Sequence, residues 1–182
     1  MGSPNGRLRA RSRLGKYRIE ALLGEGGFAC VYRAFDTIEG LPVALRVPSE
    51  HPLSQRAEED FLKEIRLVAK LEHPHILPVR NADRIDGRLV VATPLAKETL
   101  ADRLSRRLAW TTRLAWGEQL LDALAFAHES RVLHLDVKPE NVLLFDDGRI
   151  RLGDFGLARI TYRTIAASGS GTLGHMAPEQ AM

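Results

Sequence analysis

Apolar and polar positions along the chain change period part-way through. From Tyr17 to about Val47 they alternate closely enough to predict strands: YRIEALLG, then VYRAFD after the glycine-rich turn GEGGFAC, then LPVALRV beyond a turn at Glu39-Gly40. Ser54 to Glu72 predicts a helix, with Ser54 as N-cap and His73-Pro74 as the stop. Its inward stripe is Ala57, Phe61, Val68 and Leu71. Glu64 falls inside that stripe, so its carboxylate is expected to be partly buried and to need a cation.

ILPVRNADRIDGRLVVATPL predicts two strands around the turn Asp86-Gly87, ending at Thr93-Pro94. Lys97 to Arg107 and Thr111 to Ser130 predict helices, the second with Leu114, Leu121, Leu124 and His128 on one face. VLLF and RIRL flank Asp146-Asp147-Gly148 as a hairpin. Beyond DFG the chain has little periodicity and reads as a long loop. Strands first and helices later, joined by a short connector at 93–96, predict an α+β protein of two lobes.

Composition narrows the classes. The 182 residues are 45% hydrophobic and 27% charged, ordinary for a globular protein with a real core. The net charge of +3 is mild and gathers in the first eighteen residues. Residues 1–13 are therefore expected to be a flexible basic tail, and no nucleic-acid partner is expected. No apolar run reaches the length of a membrane helix, and the N-terminus lacks the apolar centre of a signal peptide. A single cysteine, Cys30, excludes an internal disulfide and fits a reducing, cytoplasmic setting.

Candidate chemistry gathers in short motifs. GEGGFACV runs from Gly24 to Val31; VALR ends at Arg46; HLDVKPEN runs from His134 to Asn141; DFG is Asp154 to Gly156; APE is Ala177 to Glu179. Gly24, Gly26 and Gly27 offer backbone N–H groups where a Cβ would obstruct a phosphate, although a glycine cluster alone also fits a plain hairpin turn. An isolated aspartate after an apolar run is equally at home in a turn. Asn141 and Asp154 supply hard oxygens suited to Mg2+.

In this order, with Glu64 at the family's helix position, the motifs resemble the protein kinases, and among them the bacterial-type Ser/Thr kinases. The resemblance implies an N-terminal lobe at 14–92, built of an antiparallel sheet plus one helix, a hinge at 93–96 and a partial, mainly helical C-terminal lobe at 97–182. It implies transfer of the ATP γ-phosphate to a protein Ser/Thr hydroxyl, with ATP and Mg2+ as cofactors. Asp136 then orients the hydroxyl and accepts its proton, Lys138 steadies the transferred phosphate, and Asn141 and Asp154 hold metal. Gly24, Gly26, Gly27, Val31, Ala44, Arg46, Glu64, Thr93 and Leu95 line the nucleotide site. His134 and Phe155 belong to the internal packing.

The chain departs from the family pattern at four points. The third loop glycine is Ala29, which restricts φ. Leu135 stands where many kinases have an arginine that holds a phosphorylated activation loop; little dependence on phosphorylation at Thr164, Ser168, Ser170 or Thr172 is expected, with Thr172 structural. Arg46 stands where the family has lysine. Val43, Leu45 and Val47 should face one way and Ala44 and Arg46 the other, toward Glu64. A planar guanidinium does not replace a compact ammonium at phosphates, so a loss on the order of 10²-fold in turnover is expected. Finally, the sequence stops soon after APE, so the long helix is expected to expose apolar surface until a stabilising partner or the missing C-terminal part covers it. Arg46, Ala29, Leu135 and the early stop also allow an alternative, a pseudokinase that binds nucleotide and acts as a scaffold or allosteric module.

Overall fold

The computed structural model describes residues 7–26, 28–49 and 53–155, and the chain divides into two compact units. The first comprises 1–65 and 79–95, the second 66–78 and 96–182.

The first unit is built on an antiparallel sheet of six strands among the described residues, in the order β1-β2-β3-β4-β6-β5. These are β1 (Arg13–Leu14), β2 (Tyr17–Glu25), β3 (Ala29–Asp36), β4 (Leu41–Pro48), β5 (Asn81–Ile85) and β6 (Arg88–Pro94). Alternation along β3 and β4 sends Cys30, Tyr32, Ala34, Val43, Leu45 and Val47 into one apolar cluster with Tyr17, Ile19, Val90 and Ala92. The β5–β6 hairpin turns on Asp86 and Gly87, both at positive φ (50° and 76°), as the Asp-Gly step predicts. Before the sheet, the Leu8 backbone N–H donates to the Tyr32 hydroxyl at 3.2 Å, and Arg7 pairs with Glu25.

Helix α1 (Gln55–Val68) is shorter than the sequence pattern implies. Ser54 does cap it, its Oγ accepting from the Ala57 N–H at 3.3 Å. After Val68 the chain tightens into turns, Lys70 N–H to Leu67 and Leu71 N–H to Val68, on the way to the helix-incompatible Pro74. Phe61 and Glu64 are its buried residues, three apart and therefore on one face.

The second unit pairs a small sheet, β7 (Glu98–Thr99), β8 (Val142–Leu144) and β9 (Ile150–Leu152), with α2 (Leu100–Leu104) and α3 (Trp110–Glu129). One expectation changes here. The helix expected over Lys97 to Arg107 is only α2, because Glu98 and Thr99 pair with Leu144 and Leu143. Thr99 then starts the helix in a reciprocal cap with Asp102. On α3 the leucine face expected to expose apolar surface does so at Leu114 and Leu121, 51% and 68% exposed, while Ala123 and Ala127 are the fully buried residues. The helix is turned by its ties to the β8–β9 hairpin, where the Trp116 indole donates to the Gly148 carbonyl and Gln119 accepts from the Ile150 N–H. Close approach there favours alanine over leucine. Among the described residues, no helix is long and apolar enough to cross a membrane.

Candidate active site

In the second unit, the segment between α3 and β8 carries a compact polar arrangement. The Asp136 carboxylate lies 2.7 Å from Lys138 Nζ through its Oδ2, and the same oxygen accepts from Asn141 Nδ2 at 3.0 Å. That amide nitrogen also donates to the Asp136 carbonyl at 2.8 Å. Among the described residues both carboxylate contacts fall on Oδ2, which leaves Oδ1 for another donor. Pro139 opens a single 3-10 turn, Pro139–Asn141, which brings Asn141 back against Asp136. Next, the Gly153 N–H donates to the Asn141 carbonyl at 2.8 Å, fixing the backbone just before Asp154 beside this turn.

His134 anchors the segment from below. Its Nδ1 accepts from the Asp136 N–H at 3.3 Å, so Nε2 carries the proton and donates to the Gly153 carbonyl at 2.7 Å. Its ring meets Phe155 edge-on at 4.7 Å, and both residues are buried. Burial pushes the His134 pKa down. The Gly153 hydrogen bond and the charges of Asp154 and Asp136 act against that shift without cancelling it. His134 and Phe155 are thus packing and orienting residues. Leu135 and Asp154 both take positive φ, 62° and 57°, which non-glycine residues rarely adopt. Such strain gathers at functional sites.

In the first unit, strand register assembles a second set. Arg46 pairs across β4 with Val31 on β3 and with Val91 on β6, and Ala44 pairs with Thr93. Cross-strand partners share a face, so Val31, Ala44, Arg46 and Thr93 lie together on the side opposite the main apolar cluster. From α1, Glu64 meets Arg46: Nη1 bonds Oε1, and Nη2 lies 3.5 Å from Oε2. The Glu64 side chain is only 4% exposed, so the carboxylate expected to need a cation has one. Leu95 follows β6 and is partly buried.

Gly24 and Gly26 sit at the exposed end of β2, where Gly26 N–H closes the turn onto the Ala29 carbonyl at 2.9 Å. A Cβ at Gly24 would meet nothing within 4 Å, and one at Gly26 only the Ala29 carbonyl at 3.5 Å. Packing among the described residues therefore does not demand glycine at either position. Gly27, Gly156, the APE segment and the four candidate phosphorylation positions lie outside the described residues.

Sequence reasoning missed one member of this arrangement. Phe61, taken as a stripe residue, lies under the Arg46 guanidinium, with the ring centroid 5.2 Å from Cζ. The available signal was its place three residues before Glu64, on the same helix face.

Comparison with known proteins agrees with these motifs. Residues 17–181 match the family model for the protein kinase domain, and the chain belongs to that family. It is 37% identical to the serine/threonine-protein kinase PknE of Mycobacterium bovis, over 94% of this chain and 32% of that protein. It is 40% identical to the DNA damage-responsive serine/threonine-protein kinase RqkA of Deinococcus radiodurans, over 92% of this chain and 26% of that protein. With the serine/threonine-protein kinase PknH of Mycobacterium bovis the identity is 32%, over 94% of this chain and 30% of that protein. The chain thus spans between a quarter and a third of the length of these relatives. The α+β class expected from the strand-then-helix order, and the kinase-like fold implied by the motif resemblance, are borne out.

Proposed function

We propose that the chain is the ATP-dependent catalytic part of a protein Ser/Thr kinase. The observation that carries this reading is the Asp136–Lys138–Asn141 arrangement: a carboxylate with one oxygen committed to a lysine and an amide, and the other left to receive a proton.

In this reading a substrate Ser or Thr hydroxyl donates to Asp136 Oδ1. As its oxygen bonds to the γ-phosphorus, the bond to the β–γ bridging oxygen breaks, ADP leaves, and the hydroxyl proton passes to Asp136. Lys138 sits where its ammonium can offset charge on the transferred group. The two neighbours on Oδ2 fix the carboxylate before substrate arrives, so little reorganisation is left for the reaction.

The family uses ATP and typically Mg2+, and the residues fit both. Asn141 directs its amide nitrogen at Asp136, which turns its oxygen the other way, and Asp154 supplies a carboxylate. One amide oxygen and one carboxylate suit a hard cation that takes its remaining ligands from phosphate and water. When bound, Mg2+ supplies neutralisation of phosphate charge. The open space at Gly24 and Gly26 lets a phosphate approach the backbone there, with the Gly26 N–H committed to the Ala29 carbonyl; Val31 and Ala44 offer apolar surface for adenine, and Thr93 and Leu95 offer backbone groups. Arg46, held by Glu64, faces the phosphates. The single cysteine is in keeping with a cytoplasmic setting.

The pseudokinase alternative finds no support in the family match or in the three relatives, each named as a kinase. The deciding experiment is transfer of labelled phosphate from ATP to the chain itself and to a generic basic protein. Transfer that Asp136→Asn abolishes is expected; transfer that survives this substitution undamaged refutes the reading.

A further inference from the structure

We propose that Phe61 is a positioning residue for the Arg46 cation: its ring holds the guanidinium in place for nucleotide. This inference rests on the reading that Arg46 faces the ATP phosphates.

The Arg46 Cζ lies 5.2 Å from the Phe61 centroid, within cation–π range. Glu64 engages the guanidinium through both Nη1 and Nη2. Phe61 and Glu64 share one face of α1, so a single helix supplies an aromatic face and a carboxylate to the same group. The ring cannot drift. Phe61 is fully buried in a cluster with Leu89 and Val91, and it packs at 5.6 Å against the ring of Phe28 from the glycine-rich segment. The Phe28 carbonyl is itself held by the Ser49 N–H at 2.9 Å.

The chemistry matches arginine in particular. A guanidinium is planar and weakly hydrated, so it lies against an aromatic face; an ammonium is compact and strongly hydrated. Arg46 is only 16% exposed in its side chain, which strengthens attraction to the ring because water competes less. A long side chain with many rotamers thereby gains one location. Phe61 does this without contacting nucleotide, and Phe28 ties the same ring to the glycine-rich segment.

Fluorination of the ring separates this role from packing. Replacing Phe61 with 3,4,5-trifluorophenylalanine keeps its shape and drains negative charge from its face. The dissociation constant for Mg-ATP is then expected to rise about three- to tenfold, with an intermediate rise for the monofluorinated ring. Arg46→Ala is the reference, expected to weaken Mg-ATP more strongly and to make binding insensitive to the fluorinated ring. Equal Mg-ATP affinity for native and fluorinated chains, alongside a large loss in Arg46→Ala, overturns the role of Phe61 and leaves that of Arg46 standing. Unchanged affinity in Arg46→Ala removes the underlying reading, and the inference with it. A melting curve for each variant reports whether the fold is retained.

Discussion

Asn141 directs one amide nitrogen at both the carbonyl and the carboxylate of Asp136, at 2.8 and 3.0 Å. An ordinary side-chain hydrogen bond fixes one atom; this one fixes the backbone and the side chain of the same residue together. Asn141→Ala is therefore expected to lower phosphate transfer by on the order of 10²-fold or more, as for loss of a preorganised polar group. The cost in folding is expected to be smaller, about 1 kcal/mol. Paired turnover and denaturation measurements check both figures.

Arg46 makes a second test. Arg46→Lys restores the compact ammonium, and turnover is expected to rise by on the order of 10²-fold if charge at the phosphates limits the reaction. Glu64→Gln removes the opposite charge from the guanidinium and is expected to lower turnover, because the cation loses its fixed bearing. Steady-state kinetics with varied ATP reads both changes.

The pH dependence of stability follows from His134. Its pKa lies below the ordinary 6.5 because the ring is buried, so the unfolded chain binds the proton more readily than the folded one. The contribution of the neutral ring is present above about pH 6.5 and is lost as pH falls toward the lowered folded value. Denaturation midpoints between pH 7.5 and 5 are expected to fall. In His134→Phe that part of the slope is expected to vanish, even though Gly153 and Asp136 lose a partner and stability at high pH drops.

On α3 the two faces give opposite expectations. Leu114→Gln with Leu121→Gln replaces exposed apolar surface and is expected to leave stability within about 0.5 kcal/mol while raising solubility. Ala127→Leu forces volume into a fully buried position and is expected to cost about 1–3 kcal/mol. Chemical denaturation and light scattering distinguish the two.

Leu135 supplies a test of regulation. With leucine there, alanine substitutions at Thr164, Ser168 and Ser170 are expected to change activity less than twofold, because an added phosphate has one fewer cationic partner. Leu135→Arg is expected to make activity respond to those positions. Transfer assays before and after phosphatase treatment measure the difference.

Much of the N-terminal sheet was readable because β3 and β4 alternate and the turns carry their own markers, as at Glu39-Gly40 and Asp86-Gly87. Orientation of Arg46 toward Glu64 was readable for the same reason, since period two leaves only two faces. The face of α3 was not. A helix rich in leucine and alanine all round has little contrast between sides, and its rotation is set by Trp116 and Gln119 meeting a hairpin more than twenty residues away. Strand β7 was hidden too, because two residues carry no period; the Thr99-x-x-Asp102 spacing was the one sign that the helix starts late. Local motif spacing revealed Asp136, Lys138 and Asn141 as candidates. Which oxygen of Asp136 each neighbour takes depends on a fold in the chain that spacing does not describe.

Leu135 and Asp154, both at positive φ, have a consequence for attempts to make the protein more robust. Each holds a conformation that costs an ordinary residue about 1 kcal/mol or more, and glycine or asparagine would relieve it. A screen that rewards heat tolerance alone would therefore converge on these two positions early. At Asp154 it would trade the carboxylate proposed to hold metal, and with it the proposed phosphate transfer, for thermostability; at Leu135 the same relief removes no carboxylate.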